Sequence, residues 1–208
     1  MMVNPKMKEY KILLIGRFAI GKTAIIEQFI FQKFPMQYGP TQEAVSSTQC
    51  IIDGETVSVD ILEITIHEYA RAHSIRPEYI NHAEGLLLAY SVASRISFNE
   101  MQEIYQHILQ IRGQASFPTI LIGNIFDLGY DREVTFAEGN SLAEQIGCPF
   151  FEVSARDGTN IEKSFHDLIH RIRRYVKGQN SGVTTLATDA HKDIHDNDDY
   201  CCSRCITF

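Results

Sequence analysis

A chain of 208 residues, 44% of them hydrophobic, is long enough for one well-cored domain and a tail. Nineteen lysines and arginines against twenty-six aspartates and glutamates leave a net charge of -7, which argues against a nucleic-acid surface and against charge-driven binding to anionic lipid. With no N-terminal apolar core and no run of about 18 apolar residues, neither secretion nor a membrane span is indicated.

Residues 1–8 carry no periodic pattern and are expected to be a flexible N-terminus. Residues 9–15 are apolar and β-branched and read as a strand; residues 24–31 read as a helix. Between them Gly16-Arg17-Phe18-Ala19-Ile20-Gly21-Lys22-Thr23 fits G-x-x-x-x-G-K-S/T, the loop that cradles phosphate. A tight turn there aims backbone N–H groups at phosphate oxygens, a lysine meets the β/γ charge and a hydroxyl serves Mg²⁺. The pattern predicts a bound nucleotide. A glycine-containing αβ turn without a ligand is the alternative for this loop taken alone.

Further on, Gly39-Pro40 marks a loop with Tyr38 and Thr41 exposed, although a plain linker would read the same. Residues 45–52 and 56–64 are extended and flank Asp53-Gly54, a strong hairpin signal that predicts an antiparallel pair. Residues 66–81 are polar and irregular, with Pro77 interrupting any continuous helix, and read as a mobile loop and a short helix. Residues 85–91 form an unbroken apolar run suited to a central parallel strand. Phe98, Met101, Ile104, Ile108 and Ile111 make one helical stripe, read as core packing, with Gly113 as a stop.

Residues 119–122 are another buried strand, ending in Gly123-Asn124-Ile125-Phe126-Asp127 where open α/β sheets bind ligands. Thr135 and Glu138 form a capping box for a helix to Ile146, closed by Gly147. Residues 150–153 are the last strand. Thr159 and Glu162 are expected to cap a final helix, on which Ile161, Phe165, Leu168, Ile169, Ile172 and Val176 recur at helical spacing. His166 and His170, four apart on it, lack an H-E-x-x-H pattern and read as surface residues. After Lys177 the composition turns to Gly, Ser, Thr, Asn and Asp, and residues 178–208 are expected to be a disordered acidic linker. The order of elements predicts a mostly parallel three-layer α/β domain with one antiparallel edge strand.

The loops at the strand ends resemble those of a Ras-type small GTPase, over roughly residues 8–177 plus the extreme C-terminus. Gly16 to Thr23 resembles its phosphate loop, Tyr38-Gly39-Pro40-Thr41 its first switch, Asp60-Ile61-Leu62-Glu63 its Mg²⁺-side strand, Gly123-Asn124-x-x-Asp127 its base-reading loop and Ser154-Ala155-Arg156 its last guanine contact. The resemblance implies a P-loop G domain at residues 9–177, with a six-stranded sheet and about five helices. It implies GTP or GDP as ligand with Mg²⁺. Gly16, Ala19, Ile20, Gly21, Lys22, Thr23 and Ala24 would surround the phosphates, and Tyr38, Thr41 and Ile66 would lie on the γ-phosphate side. Phe34 would pack across the base, with Asn124, Asp127, Ser154, Ala155 and Arg156 around the guanine. Asp127 would accept from guanine N1–H and the exocyclic amine, which adenine cannot satisfy. Thr23, Thr41 and, through water, Glu63 would serve the metal; Lys22, Thr41 and His67 would act in hydrolysis. Effector and exchange-factor proteins would dock through residues 38–45 and 64–81.

Several positions depart from the family pattern, and they fall where GTP is hydrolysed. Phe18 stands in place of a glycine, where it should obstruct an incoming arginine finger. Glu63 replaces an aspartate. Ile66 replaces a glycine whose N–H meets the γ-phosphate, and its β-branch narrows the backbone torsions available. His67 replaces the glutamine that orients the attacking water, and Thr65 an alanine. Ile125 replaces a base-stacking lysine, which points to faster nucleotide exchange, and Gln42, Ala44 and Val45 alter the effector segment. In Ras itself an arginine finger supplies about 10⁵-fold in rate, or about 7 kcal/mol of barrier. Losing it predicts slow hydrolysis with little response to activating proteins.

Cys205-Ile206-Thr207-Phe208 ends the sequence as a C-a-a-X box, whose terminal Phe favours geranylgeranylation of Cys205. An aspartate-rich tail cannot be a polybasic second signal, which leaves Cys201 and Cys202 as palmitoylation sites. The expectation is a switch on the cytoplasmic face of a membrane, the plasma membrane first. A non-hydrolysing interaction module is the alternative; an ATP-using P-loop enzyme is disfavoured by Asp127.

Overall fold

The computed structural model describes residues 7–35, 43–67, 75–125 and 131–180. Six strands make one sheet: β1 (Lys8–Arg17), β2 (Glu43–Ile52), β3 (Glu55–Ile66), β4 (Gly85–Ser91), β5 (Thr119–Asn124) and β6 (Phe150–Val153), in the order β2-β3-β1-β4-β5-β6. β2 runs antiparallel to β3, and every other neighbouring pair is parallel. The helices are α1 (Lys22–Phe31), α2 (Pro77–His82), α3 (Arg95–Asn99), α4 (Met101–Arg112), α5 (Phe136–Ile146) and α6 (Ile161–Asn180).

The central strands are apolar on both faces because both faces are covered. Along β1, Ile12 and Leu14 point into a core closed by α1 and α6, whereas Leu13 and Ile15 point into a core closed by α2, α4 and α5. β4 is buried throughout. Between α1 and α6 the rings of Phe29 and Phe165 stack at 3.9 Å. The β2–β3 hairpin turns on Asp53 and Gly54, both at positive φ (55° and 76°), as its two-residue turn requires.

The capping box of α5 is present: the Thr135 hydroxyl accepts from Glu138 N–H, the Glu138 carboxylate accepts from Thr135 N–H, and Gly147 closes the helix in a left-handed cap. Several expectations need correction. Thr159 does not cap α6; its hydroxyl donates to Asp157 Oδ1 at 2.7 Å, and the chain turns one residue later through Asn160 at φ 56°. The stripe expected as one helix is two segments, α3 and α4, meeting at Glu100. The short helix expected within residues 66–81 is α2, and Pro77 opens it, in the first turn, where no N–H is needed. α6 also runs to Asn180, so the boundary expected after Lys177 falls inside a helix.

His166 and His170 are half-buried, His166 one turn from Glu162 (3.6 Å) and His170 against Asp53 of the hairpin (3.4 Å). Arg173 joins the same hairpin to α6 through Asp53 (2.6 Å) and Glu55 (3.2 Å).

Candidate functional site

Parallel strands carry their following loops at one edge of the sheet, so the segments after β1, β3, β5 and β6 converge. The chain leaves β1 at Gly16, where a Cβ would lie 2.2 Å from the Ala89 carbonyl oxygen of β4. Only glycine passes that close. Ala19 (φ 59°) and Gly21 (φ 88°) then take left-handed conformations that wrap the loop into a cradle. Gly21 caps α1 without any side-chain hydrogen bond, which leaves the first N–H groups of the helix for an anion.

Lys22 is only 3% exposed, and its Nζ donates to the Arg17 carbonyl at 2.9 Å. Burial lowers its ammonium to about 8, while the Glu63 carboxylate pulls the other way. A buried cation held by one carbonyl, with a carboxylate charge acting on it, is ready for a phosphate. Thr23 Oγ1 donates to the Glu63 carboxylate, 2.9 Å and 3.0 Å from its two oxygens. Glu63 is 2% exposed, and burial pushes its carboxyl up, against the pull of Lys22 and Thr23; the Glu27 charge adds to the rise. A hydroxyl beside a carboxylate is a hard-oxygen donor set of the kind Mg²⁺ takes.

On the other side of the cradle, buried Asn124 donates from Nδ2 to the Ile20 carbonyl at 2.8 Å, tying the end of β5 to the phosphate loop. Its Oδ1 is buried with no partner among the described residues. Ile125 packs against the core rather than standing clear of it. Ser154 and Ala155 are buried in a turn closed by Gly158 N–H to Ser154 O (3.0 Å) and Ser154 N–H to Thr159 O (3.1 Å), and Arg156 is exposed. Phe34 packs on the core cluster beneath α1.

At the mouth of the cradle Phe18 is 47% exposed and its ring stacks on His67, centroids 5.8 Å apart. Phe18 N–H donates to the Ile66 carbonyl at 2.9 Å, and Ile66 itself is buried, paired with Arg17 as β3 continues. Two charged neighbours of the loop carry no motif in the sequence. Arg17 forms an ion pair with Glu100 at the head of α4, and Glu27 sits one helical turn after Thr23. Spacing along α1 was the one signal for Glu27; for Glu100 there was none.

Tyr38, Thr41 and Asp127, and the cysteines Cys201, Cys202 and Cys205, lie outside the described residues.

Comparison with known proteins speaks to the same cradle. The Ras family model matches residues 11–174. A "Ras-like protein" of Laccaria bicolor is 38% identical over 209 aligned positions, covering 99% of each chain. "Protein ras-1" of Neurospora crassa is 36% identical over 213 positions, again 99% of each. The chain belongs to the Ras family. "Ras-like protein 2" of Mucor circinelloides f. lusitanicus, 38% identical, covers 81% of this chain and 84% of its own. As a Ras-family small GTPase the protein binds guanine nucleotide and converts GTP to GDP and phosphate. The six-stranded sheet with one antiparallel strand is the G-domain architecture of that family.

Proposed function

We propose that this Ras-family chain is a membrane-tethered signalling switch that holds GTP with Mg²⁺, hydrolyses it slowly and responds little to activating proteins. The observation that carries the reading is the Phe18 ring stacked on His67 at the mouth of the phosphate loop. An arginine finger reaching the γ-phosphate must pass this ring, and the aromatic pair resists displacement by about 0.5–1.5 kcal/mol beyond its burial. The same stack engages the imidazole that stands where a water-orienting amide is usual. Slow turnover follows from both.

Thr23 and Glu63 would hold Mg²⁺, with Thr41 as a further ligand in the GTP state. When bound, the ion neutralises the charge developing on the phosphates. Tethering rests on Cys205, with Cys201 and Cys202 as second lipid sites, and places the protein on the cytoplasmic face of the plasma membrane. Partners would dock on residues 38–45 and 64–81. Within that surface Glu43 already meets Tyr79 (2.9 Å) and Arg76 (3.4 Å) of the α2 region.

Purified protein loaded with radiolabelled GTP tests the proposal. Phosphate release should stay slow on adding a Ras-type activating protein, and a fast single turnover would overturn it. The burial of Ile66 favours a second reading, a non-hydrolysing interaction module whose β3 end does not move with the nucleotide. Mass spectrometry of co-purifying nucleotide separates the two: GDP supports turnover, GTP a long-held active state, and no nucleotide the module.

A further inference from the structure

Arg17 is the last residue of β1 and the second of the phosphate loop. It shares a face of the strand with Leu13 and Ile15, so its side chain turns toward the side of the sheet that α4 covers. There its guanidinium forms an ion pair with the Glu100 carboxylate, the two side chains only 14% and 31% exposed. Glu100 stands where α3 ends and α4 begins. Its carboxylate makes no cap hydrogen bond to the first N–H groups of α4, and its Oε2 is buried with no hydrogen-bond partner among the described residues. A carboxylate so enclosed depends on the arginine for its charge balance, and the pair ties the head of α4 to the phosphate loop. The backbone of Arg17 serves the site as well. Its carbonyl accepts from Lys22 Nζ at 2.9 Å, its Cα lies opposite Ile66 of β3, and the next N–H, that of Phe18, donates to the Ile66 carbonyl. Gly16 before it is pressed against Ala89 of β4. Neighbouring strands therefore hold the chain up to this point, and the ion pair fixes the residue at which it leaves the sheet.

We infer that Arg17 and Glu100 are a positioning pair for the phosphates of the nucleotide, holding the peptide that orients Lys22 so that the ligand meets a loop already formed. The inference rests on the nucleotide-binding reading of the cradle and is independent of how fast GTP is hydrolysed. A preformed loop binds without the cost of ordering itself, so the pair acts on affinity. It acts through Lys22, whose ammonium meets the charge beyond the α-phosphate. Its effect is therefore confined to ligands that carry such a phosphate.

The test compares GDP with GMP, which lacks the β-phosphate, on the full-length protein in Mg²⁺, by competition against a fluorescent GDP analogue. Glu100→Gln and Arg17→Ala should each weaken GDP by about tenfold and change GMP by less than about twofold. Arg17→Lys, which keeps the cation, should lose less than Arg17→Ala. Exchanging the charges, Arg17→Glu with Glu100→Arg, should recover most of the loss. A general loosening of the domain would instead weaken both nucleotides alike and leave the exchanged pair no better than either single variant. GDP affinity unchanged in Glu100→Gln, or GDP and GMP weakened equally, overturns the inference alone. A wild-type chain that binds no GDP overturns the nucleotide-binding reading and the inference with it.

Discussion

Phe18 and His67 face each other across the mouth of the phosphate loop, rings 5.8 Å apart and inclined by 24°. One comes from the loop after β1 and the other from the end of β3, so the stack joins the two segments between which phosphate chemistry takes place. Phe18→Gly removes the ring and opens the approach. Phosphate release in the presence of a Ras-type activating protein should then rise by at least about tenfold, with a smaller change in the unstimulated rate. Single-turnover assays on radiolabelled GTP measure both, and an unchanged stimulated rate would show that the ring is no obstacle.

Lys22 gives a pH signature. Its ammonium, lowered from 10.5 to about 8 chiefly by burial, costs the nucleotide-free fold stability while it stays charged. The unfolded chain keeps the higher value and binds more protons between those two pH values, so this contribution makes stability rise with pH through that window. Below it both states are protonated and the cost is constant. Lys22→Met should therefore raise the nucleotide-free melting temperature at neutral pH and flatten the rise in alkali, while nucleotide binding is lost. Paired thermal melts in chelator measure the difference, and a lower melting temperature for the variant at neutral pH would count against it.

Ala19 holds a left-handed conformation at φ 59° with a Cβ to accommodate. That conformation costs an L-residue about 1–2 kcal/mol, of which the added freedom of an unfolded glycine takes back about 0.5–1 kcal/mol. Ala19→Gly should thus stabilise the nucleotide-free domain by about 0.5–1 kcal/mol in urea denaturation. A loss of stability would mean that the methyl group contributes contacts outweighing the strain.

Gly139 reverses the usual rule for helices. In the interior of α5 an alanine would ordinarily gain about 1 kcal/mol over glycine. Here a Cβ would meet Phe150 Cζ at 2.3 Å and the Tyr90 hydroxyl at 2.5 Å, both part of a tightly packed aromatic group. Gly139→Ala should destabilise the protein by about 1–3 kcal/mol, as overpacking does. Chemical denaturation gives the sign directly.

The contrast between two similar sequence signals shows how far local pattern reaches. Thr135 with Glu138, and Thr159 with Glu162, have the same spacing, yet the box forms only at α5. At α6 the nearby Asp157 takes the Thr159 hydroxyl, and Asn160 at positive φ moves the helix start. The Asp53-Gly54 turn and the Gly113 and Gly147 stops were legible because each depends on torsions within a few residues. The phosphate loop was legible for the same reason: its glycines, lysine and threonine are consecutive, and the strand and helix that frame it are their immediate neighbours.

What neighbours along the chain decide can be read from the residues alone: the cradle from Gly16 to Thr23, the hairpin, the alternation of strands and helices, and membership of a family whose motifs are short and local. It takes the packed domain to bring Phe18 onto His67, pair Arg17 with Glu100, brace Asn124 on Ile20 and set the Thr23 hydroxyl on Glu63. These partners are separated by tens of residues in sequence, and what unites them is the register of parallel strands and the side of the sheet each helix covers. Neither is written in any single segment. The cradle is a local property of the chain, whereas what surrounds and restrains it is a property of the assembled sheet and its helices.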